Sequence, residues 1–201
     1  MNYTGPKVKI SRKIGINITP KSGKYAQGKP YPPGQFGPQK RRGSKQSDYG
    51  KQLLEKQRLR YQYNLSEKQM KNYYEKASRM TGNTEDFILQ LLETRLDSVL
   101  FRSGMARSLY QAKQLISHGH ILVNGKKIDI PSYQVKVNDI ITISQKFHNY
   151  DFLQDNIRNS QAPQYIEVSK ADFSAKLISI PTPSEIPIQC NTALVIEYYS
   201  R

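Results

Sequence analysis

The chain has 201 residues, 37% of them hydrophobic, with no tryptophan, 14 tyrosines and one cysteine, Cys190. That length holds one large domain or two small ones, and a single thiol excludes both a disulfide framework and a CxxC metal knuckle. The net charge is +15, and residues 1–60 hold 15 Lys and Arg against 2 acids while residues 61–201 hold 16 against 14, an imbalance that reads as a polyanion contact, usually nucleic acid.

Residues 1–49 are rich in Lys, Arg, Gly and Pro and are expected to form an extended basic segment that lies on a partner. The start, MNYTGPKVKISRKIG, lacks the apolar stretch of a secretory signal. No run is apolar enough to span a bilayer, and no membrane partner is expected. PYPPGQFGPQKRRGSKQ, residues 30–46, should be extended or turn-rich. From Asp48 the character changes. DYGKQLLEKQRLRYQYNL reads as a helix. LSEKQMKNYYEKASRM (65–80) reads as a second, with Ser66 as N-cap and Gln69 as its capping-box partner. Gly82-Asn83 ends it, and Asn83 or Thr84 caps the next pattern, TEDFILQLLETRLDSVLFRSG.

In that pattern, at about 100° per residue, Ile88, Leu91 and Leu92 share a face. Arg95 falls in the middle of the same face, and Leu96, Val99 and Leu100 define a rotated stripe. A lone buried guanidinium is costly, so the spacing predicts a break near Glu93–Arg95 and a domain boundary there. RSLYQAKQLISHG is the next helix, capped by Ser108 with Gln111 and stopped at Gly119. Its apolar face is Leu109, Ala112, Leu115 and Ile116. HILVNGKKIDI is a hairpin around Asn-Gly, and NDIITIS (138–144) is a further strand. YDFLQDNIRNS reads as a helix; YIEVS, AKLISI and TALVIEYYS read as strands.

The fold class is therefore α+β. An extended basic N-terminal segment (1–49) precedes a small helical domain (50–92). Two helices on a small antiparallel sheet follow (93–145). The C-terminal segment (146–201) is expected to complete the sheet and return to the helices of 50–92.

Catalytic and metal chemistry find little support. His118 and His120 lack the further ligands of a zinc site, and no glycine pattern matches a phosphate loop. Cys190 reads as a small filler. Glu93 and Asp97, four apart, read as a solvated face with Arg95 or Arg102 as counter-charge. No cofactor is expected. The helix at 108–118 instead carries donors, Arg107, Lys113, Gln114 and His118, and the hairpin tip adds Asn124, Lys126 and Lys127. Arg95 and Arg102, seven apart, share a stripe. Such groups suit a shaped phosphate backbone. In the basic first third the candidate RNA contacts are Arg12, Lys13, Lys40, Arg41, Arg42 and Lys45. Tyr49, Lys51, Lys56, Arg58 and Arg60 extend them into the first long helix.

RLDSVLFRSGMARSLYQAKQLISHGHILVNGKKIDIPSY (95–133) resembles the RNA-binding domain named after ribosomal small-subunit protein four. GPK near the start, PPGQFG, SDYGKQLLEKQRLRYQYNLSEKQ, ILQLLETRLD and the terminal EYYSR resemble that protein family in the same order, so the likeness covers almost the whole chain. The resemblance implies a structural, non-enzymatic component of the small ribosomal subunit. It implies direct binding to a helical junction in the 5′ domain of small-subunit rRNA, early in assembly. It also implies small-subunit protein five as a neighbour, a place near the mRNA entry side and an influence on decoding accuracy. Arg95, Arg102, Lys113, Gln114 and His118 fall on the family's motif positions, and Pro33, Gly34 and Gln35 on its PGQ element.

There are departures. Phe36 stands where the family commonly has histidine, Leu109 where it often has arginine, and Ser98 where Asn is common; Arg107 is positioned to compensate for Leu109. The N-terminal cysteine cluster that binds zinc in many relatives is absent, which places the chain in the zinc-free branch. A start without a transit segment suits a bacterial cytoplasm or a plastid stroma. Two other carriers of the same domain are alternatives. The first is a pseudouridine synthase, whose catalytic motif also opens RLD. The second is a stress-associated factor that binds stalled large subunits. Too little chain remains for a catalytic domain, and PPGQ and EYYSR argue against the second.

Overall fold

The computed structural model describes residues 5–38, 47–148, 151–159 and 161–201. They divide into two compact units, Met1–Glu85 with Ile188–Arg201, and Asp86–Pro187. Among the described residues no helix is long and apolar enough to cross a membrane.

The first unit is helical. Its elements are α1 (Lys7–Ile14), α2 (Pro20–Gly28), α3 (Asp48–Gln62) and α4 (Glu67–Ser78), closed by a helix from the far end of the chain. The expectation of an extended segment over 1–49 is corrected at α1 and α2. Pro20 opens α2, where its preset φ suits a first turn. Ile10 and Ile14, four apart on α1, are both buried. Gly15 ends α1 in the left-handed region at φ 75°. The two helices meet through a buried hydroxyl pair, Ser11 Oγ donating to Ser22 Oγ at 2.9 Å. The capping box expected at Ser66 and Gln69 is present on α4. In the 30–38 stretch the chain turns: the Gly37 amide donates to Gly34 at 3.1 Å. A Cβ on Gly37 would lie 1.9 Å from the Pro32 carbonyl oxygen, so only glycine fits.

The second unit begins within α5 (Thr84–Glu93), continues through α6 (Leu96–Arg102) and α7 (Leu109–Ser117), and then forms the sheet. The strands are β1 (Ile121–Val123), β2 (Lys126–Lys127), β3 (Ile140–Ile143), β4 (Ile166–Ser169) and β5 (Ser174–Leu177), with α8 (Asp151–Asn159) between β3 and β4. Their order is β2-β1-β3-β5-β4 with every neighbour antiparallel. Asn124 and Gly125 both have positive φ, 50° and 77°, the signature of the tight turn that Asn-Gly favours. Ile121, Val123, Ile141, Ile143, Ala175 and Leu177 alternate inward along the strands. They share one core with Val99 and Leu100 of α6, Ala112, Leu115 and Ile116 of α7, and Leu153 and Ile157 of α8.

The helix break falls where Arg95 required it. Arg95 has extended geometry, φ −69° and ψ 144°, between α5 and α6. The backbone groups it frees are met by the loop after the hairpin: Leu96 N–H donates to Tyr133 at 2.8 Å and Val135 N–H to Thr94 at 2.8 Å.

The segment TALVIEYYS is not a strand. It forms α9 (Thr192–Tyr199), whose N-cap Asn191 accepts from the Leu194 amide. β-branched and aromatic propensity yields here to packing and polar pairing. α9 lies along α3, where Gln52 Nε2 donates to Glu197 at 2.9 Å. The Asn191 amide donates to Glu55 Oε2 at 3.0 Å, and Tyr199 Oη to Glu67 Oε1 at 2.9 Å. Tyr199 also stacks on Tyr74 at 5.1 Å. Val195 is the buried residue of α9. Val195→Ala should cost about 2 kcal/mol through lost burial and the cavity left behind. Hydrogen exchange should show α3 amides opening roughly 30-fold more readily, since 1.4 kcal/mol is a factor of ten; unchanged α3 protection would contradict this packing role.

Candidate nucleic-acid interface

The basic residues separate into those turned inward and those left in solvent. In the second unit, Asp97 is 0% exposed. It accepts a two-pronged contact from Arg95, Nε at 2.9 Å and Nη2 at 2.8 Å, and its Oδ1 accepts the Ser98 amide at 3.0 Å at the start of α6. Lys113 Nζ lies 3.5 Å from the same carboxylate. Burial, outweighing the attraction of Asp97, and the neighbouring Arg95 lower the Lys113 pKa from 10.5 to about 8. Glu93, also 0% exposed, takes Arg102 at 2.7 Å. Tyr165 Oη donates to its other oxygen at 3.3 Å, and burial first, then Glu93, raises the Tyr165 pKa far above the usual phenol value. The expected solvated face at Glu93 and Asp97 is therefore corrected: both carboxylates are buried, and the basic counter-charges come inward with them.

This changes the reading of three sequence-selected contacts. Arg95, 1% exposed, is a core ion-pair partner, and Arg102 and Lys113 have only 16% and 12% of their side chains in solvent. Asn124, exposed at the hairpin tip, has both ends of its amide in intramolecular bonds: Nδ2 donates to Asp139 at 2.8 Å and Oδ1 accepts the Ile140 amide at 2.9 Å. Leu109 is buried. Arg107 is exposed, with Nε donating to Asn156 at 3.1 Å.

The first unit repeats the pattern. Arg12 donates to the carbonyls of Lys29 and Tyr31, each at 3.1 Å, and to that of Pro32 at 3.4 Å, strapping the turn region to α1. Lys56 is buried, donating to Glu67 at 2.8 Å with its ammonium 4.3 Å from the Tyr198 ring centre. Arg58 pairs with Glu55 and donates to the Ile14 carbonyl at 2.9 Å. Arg60 donates to Gln57 at 2.8 Å and lies over Tyr61. The placement of Lys56 in particular corrects its reading as an RNA contact. Cys190 Sγ, 3.4 Å from the Glu55 carbonyl, has its pKa raised by burial to about 12 and is an inert filler.

Of the sequence-selected residues, Lys13, Gly34, Gln35, Tyr49 and Lys51 are exposed on the first unit, with Pro33 partly so and Lys51 2.9 Å from Asp48. On the second unit Arg107, Gln114, His118, Lys126 and Lys127 are exposed. Lys40, Arg41, Arg42 and Lys45 lie outside the described residues. α7 carries Arg107 just before its N-terminus and His118 at its C-cap, with the hairpin continuing from there; its nine residues span about 14 Å. Among the described residues no cluster of His, Cys, Asp and Glu could hold a metal.

The sequence reading passed over other exposed cations. Lys9 on α1 and Lys21 and Lys24 on α2 are exposed, as are Lys68, Lys71 and Lys76 on α4. The signal was available on α4: Met70, Tyr73 and Ala77 form its buried stripe, which leaves Lys68 and Lys71 on the other side at helical spacing.

Residues 2–93 match the family described as Ribosomal protein S4/S9 N-terminal domain, and residues 94–141 match the S4 domain. The chain is 43% identical over 206 residues to the small ribosomal subunit protein uS4 of Streptomyces avermitilis, covering 100% of this chain and 99% of that one. It is 42% identical over 200 residues to uS4 of Geobacillus kaustophilus, covering 99% and 98%. It is 44% identical over 202 residues to uS4 of Chlorobium limicola, again 99% and 98%.

The buried ion pair has a thermodynamic signature. Asp97→Ala leaves Arg95 uncompensated in the core and should cost about 3–5 kcal/mol in urea unfolding. Lys113 behaves differently, because its folded pKa of about 8 lies below its unfolded value of 10.5. Between those limits the unfolded chain holds the extra proton, so this group makes stability rise with pH. Lys113→Met should abolish that rise, read as the pH dependence of stability in urea unfolding between about pH 8 and 10.5.

Proposed function

This chain belongs to the uS4 family of small ribosomal subunit proteins, and we propose that its two units together anchor a helical junction in the 5′ domain of small-subunit rRNA. It is a structural protein of the small subunit that binds rRNA, and not an enzyme. The finer reading is that it binds early, nucleates assembly around that junction and contributes to translational accuracy. Small-subunit protein five is its proposed neighbour, with mRNA near the entry channel as a further contact, in the ribosome of a bacterial cytoplasm or plastid stroma.

The observation that carries this reading is the sorting of charge. Buried acids take their cations inward on both units, and the remaining cations stand in solvent on α1, α2 and α4, at Arg107 just before α7, and on the hairpin. Fixed helices and a tight hairpin hold those cations in place before RNA arrives, which suits recognition by shape and phosphate. The RNA-modifying alternative needs a reachable carboxylate at RLD. Asp97 is 0% exposed and held by Arg95, which disfavours it.

The test is binding of the whole chain to a 5′-domain transcript and to a length-matched unrelated RNA across a salt series. The 5′-domain RNA should bind more tightly, and that preference should persist at high salt. Log affinity should fall against log salt by about 0.7 to 0.9 per phosphate neutralised. Replacing Lys9 and Lys13 together with alanine should flatten the slope by about one to two such steps. Equal affinity for the two RNAs would overturn the 5′-domain assignment.

A further inference from the structure

A column of three rings stands where α7 meets the sheet. Phe147, in the short turn after β3, packs partly against the core. His120 lies over it, ring centres 3.9 Å apart and planes inclined by 37°. His118 meets His120 edge-on, with centres 5.9 Å apart and planes at 73°. The turn is tied to the strand entrance by the Ser144 amide donating to the His120 carbonyl at 2.9 Å. The column runs outward from the core, and its outer member, His118, is exposed. A stack serving only to fill the core would end inside it.

A cation is built into the same place. Gly119, between the two histidines, has φ +72°, and a Cβ there would fall 2.0 Å from Lys127 Cε and 2.6 Å from its Nζ. The Lys127 stem crosses the backbone at the one residue with no side chain to block it. Lys126 and Lys146 are also exposed. Burial, with His118 and Lys127 nearby, lowers the His120 pKa below the ordinary histidine value and favours a neutral aromatic ring.

We propose that His118, His120 and Phe147 form a stacking platform for one unpaired RNA base, with Lys127 meeting the phosphate beside it. Protein–RNA recognition uses this combination where a base is splayed from its helix: a π-face takes the base and a cation tracks the backbone. The proposal deepens the rRNA-binding reading and rests on it.

The test uses the full chain and the 5′-domain transcript in a salt series. His118→Ala and His120→Ala should each weaken binding by about tenfold, in the range of one lost base stack, with the salt slope unchanged because no phosphate contact goes. His118→Tyr should keep near-native affinity. Lys127→Ala should instead reduce the slope by about 0.7 to 0.9. Circular dichroism of each variant should match the unaltered chain. If the alanine variants bind as tightly as the unaltered chain, the platform is overturned and the rRNA reading stands. The platform is likewise overturned if His118→Ala flattens the slope, or if His118→Tyr loses as much as alanine. An unaltered chain that binds no RNA overturns both.

Discussion

Two carboxylates without access to water decide where the positive charge of the second unit can go. Glu93 and Asp97 are each 0% exposed, and an isolated buried carboxylate is too costly to persist. Each therefore draws a guanidinium inward, Arg102 at 2.7 Å and Arg95 at 2.8 Å. The Asp97 pair sits at the break between α5 and α6, whose extended residue is Arg95 itself. One constraint thus determines the helix break and the position of α6, and removes Arg95 from the surface. The first unit obeys the same rule at the buried Glu55, which holds Arg58, while Lys56 is itself buried and reaches the exposed Glu67. What remains outside in both units is the excess of cations over buried acids, and that excess is the proposed binding surface.

The break was legible because a lone Arg in an apolar stripe cannot be buried without a partner. The partner was not legible. Residues two apart on a helix face different ways, so Arg95 and Asp97 do not look paired; the extended geometry of Arg95 brings them together. Arg102 and Glu93, nine apart, are joined only because the chain changes direction between them. The helix at 108–118, its Ser108 cap, the Asn-Gly hairpin and the strand at 138–144 were readable, since each depends on neighbours in sequence. Exposure at Gln114, His118, Lys126 and Lys127 followed from that local pattern.

Long-range packing accounts for what was misread. Val, Ile and Tyr in TALVIEYYS fit a strand in isolation, yet the polar residues that match them lie on α3 and α4. α1 and α2 looked extended because so few apolar residues are adjacent, but a single turn of spacing between Ile10 and Ile14 suffices when α3 is there to cover them. Composition measured how little core this stretch could build alone and was silent on what it could borrow.

That dependence has a direction along the chain. Gln52, Glu55 and Gln62 each bond to a partner far along the chain, 145, 136 and 127 residues later. Gln52 and Glu55 are buried, so these are polar groups that water does not serve in the finished fold. A chain made from its N-terminus must hold α3 with those groups still hydrated until the final residues exist. The second unit lies wholly between the two parts of the first, and its own ion pairs span at most a few tens of positions. The mixed sheet-and-helix unit can therefore complete its polar pairing while the helical unit still waits for α9. The cations of α1 and α2 are carried by a surface whose scaffold is closed last.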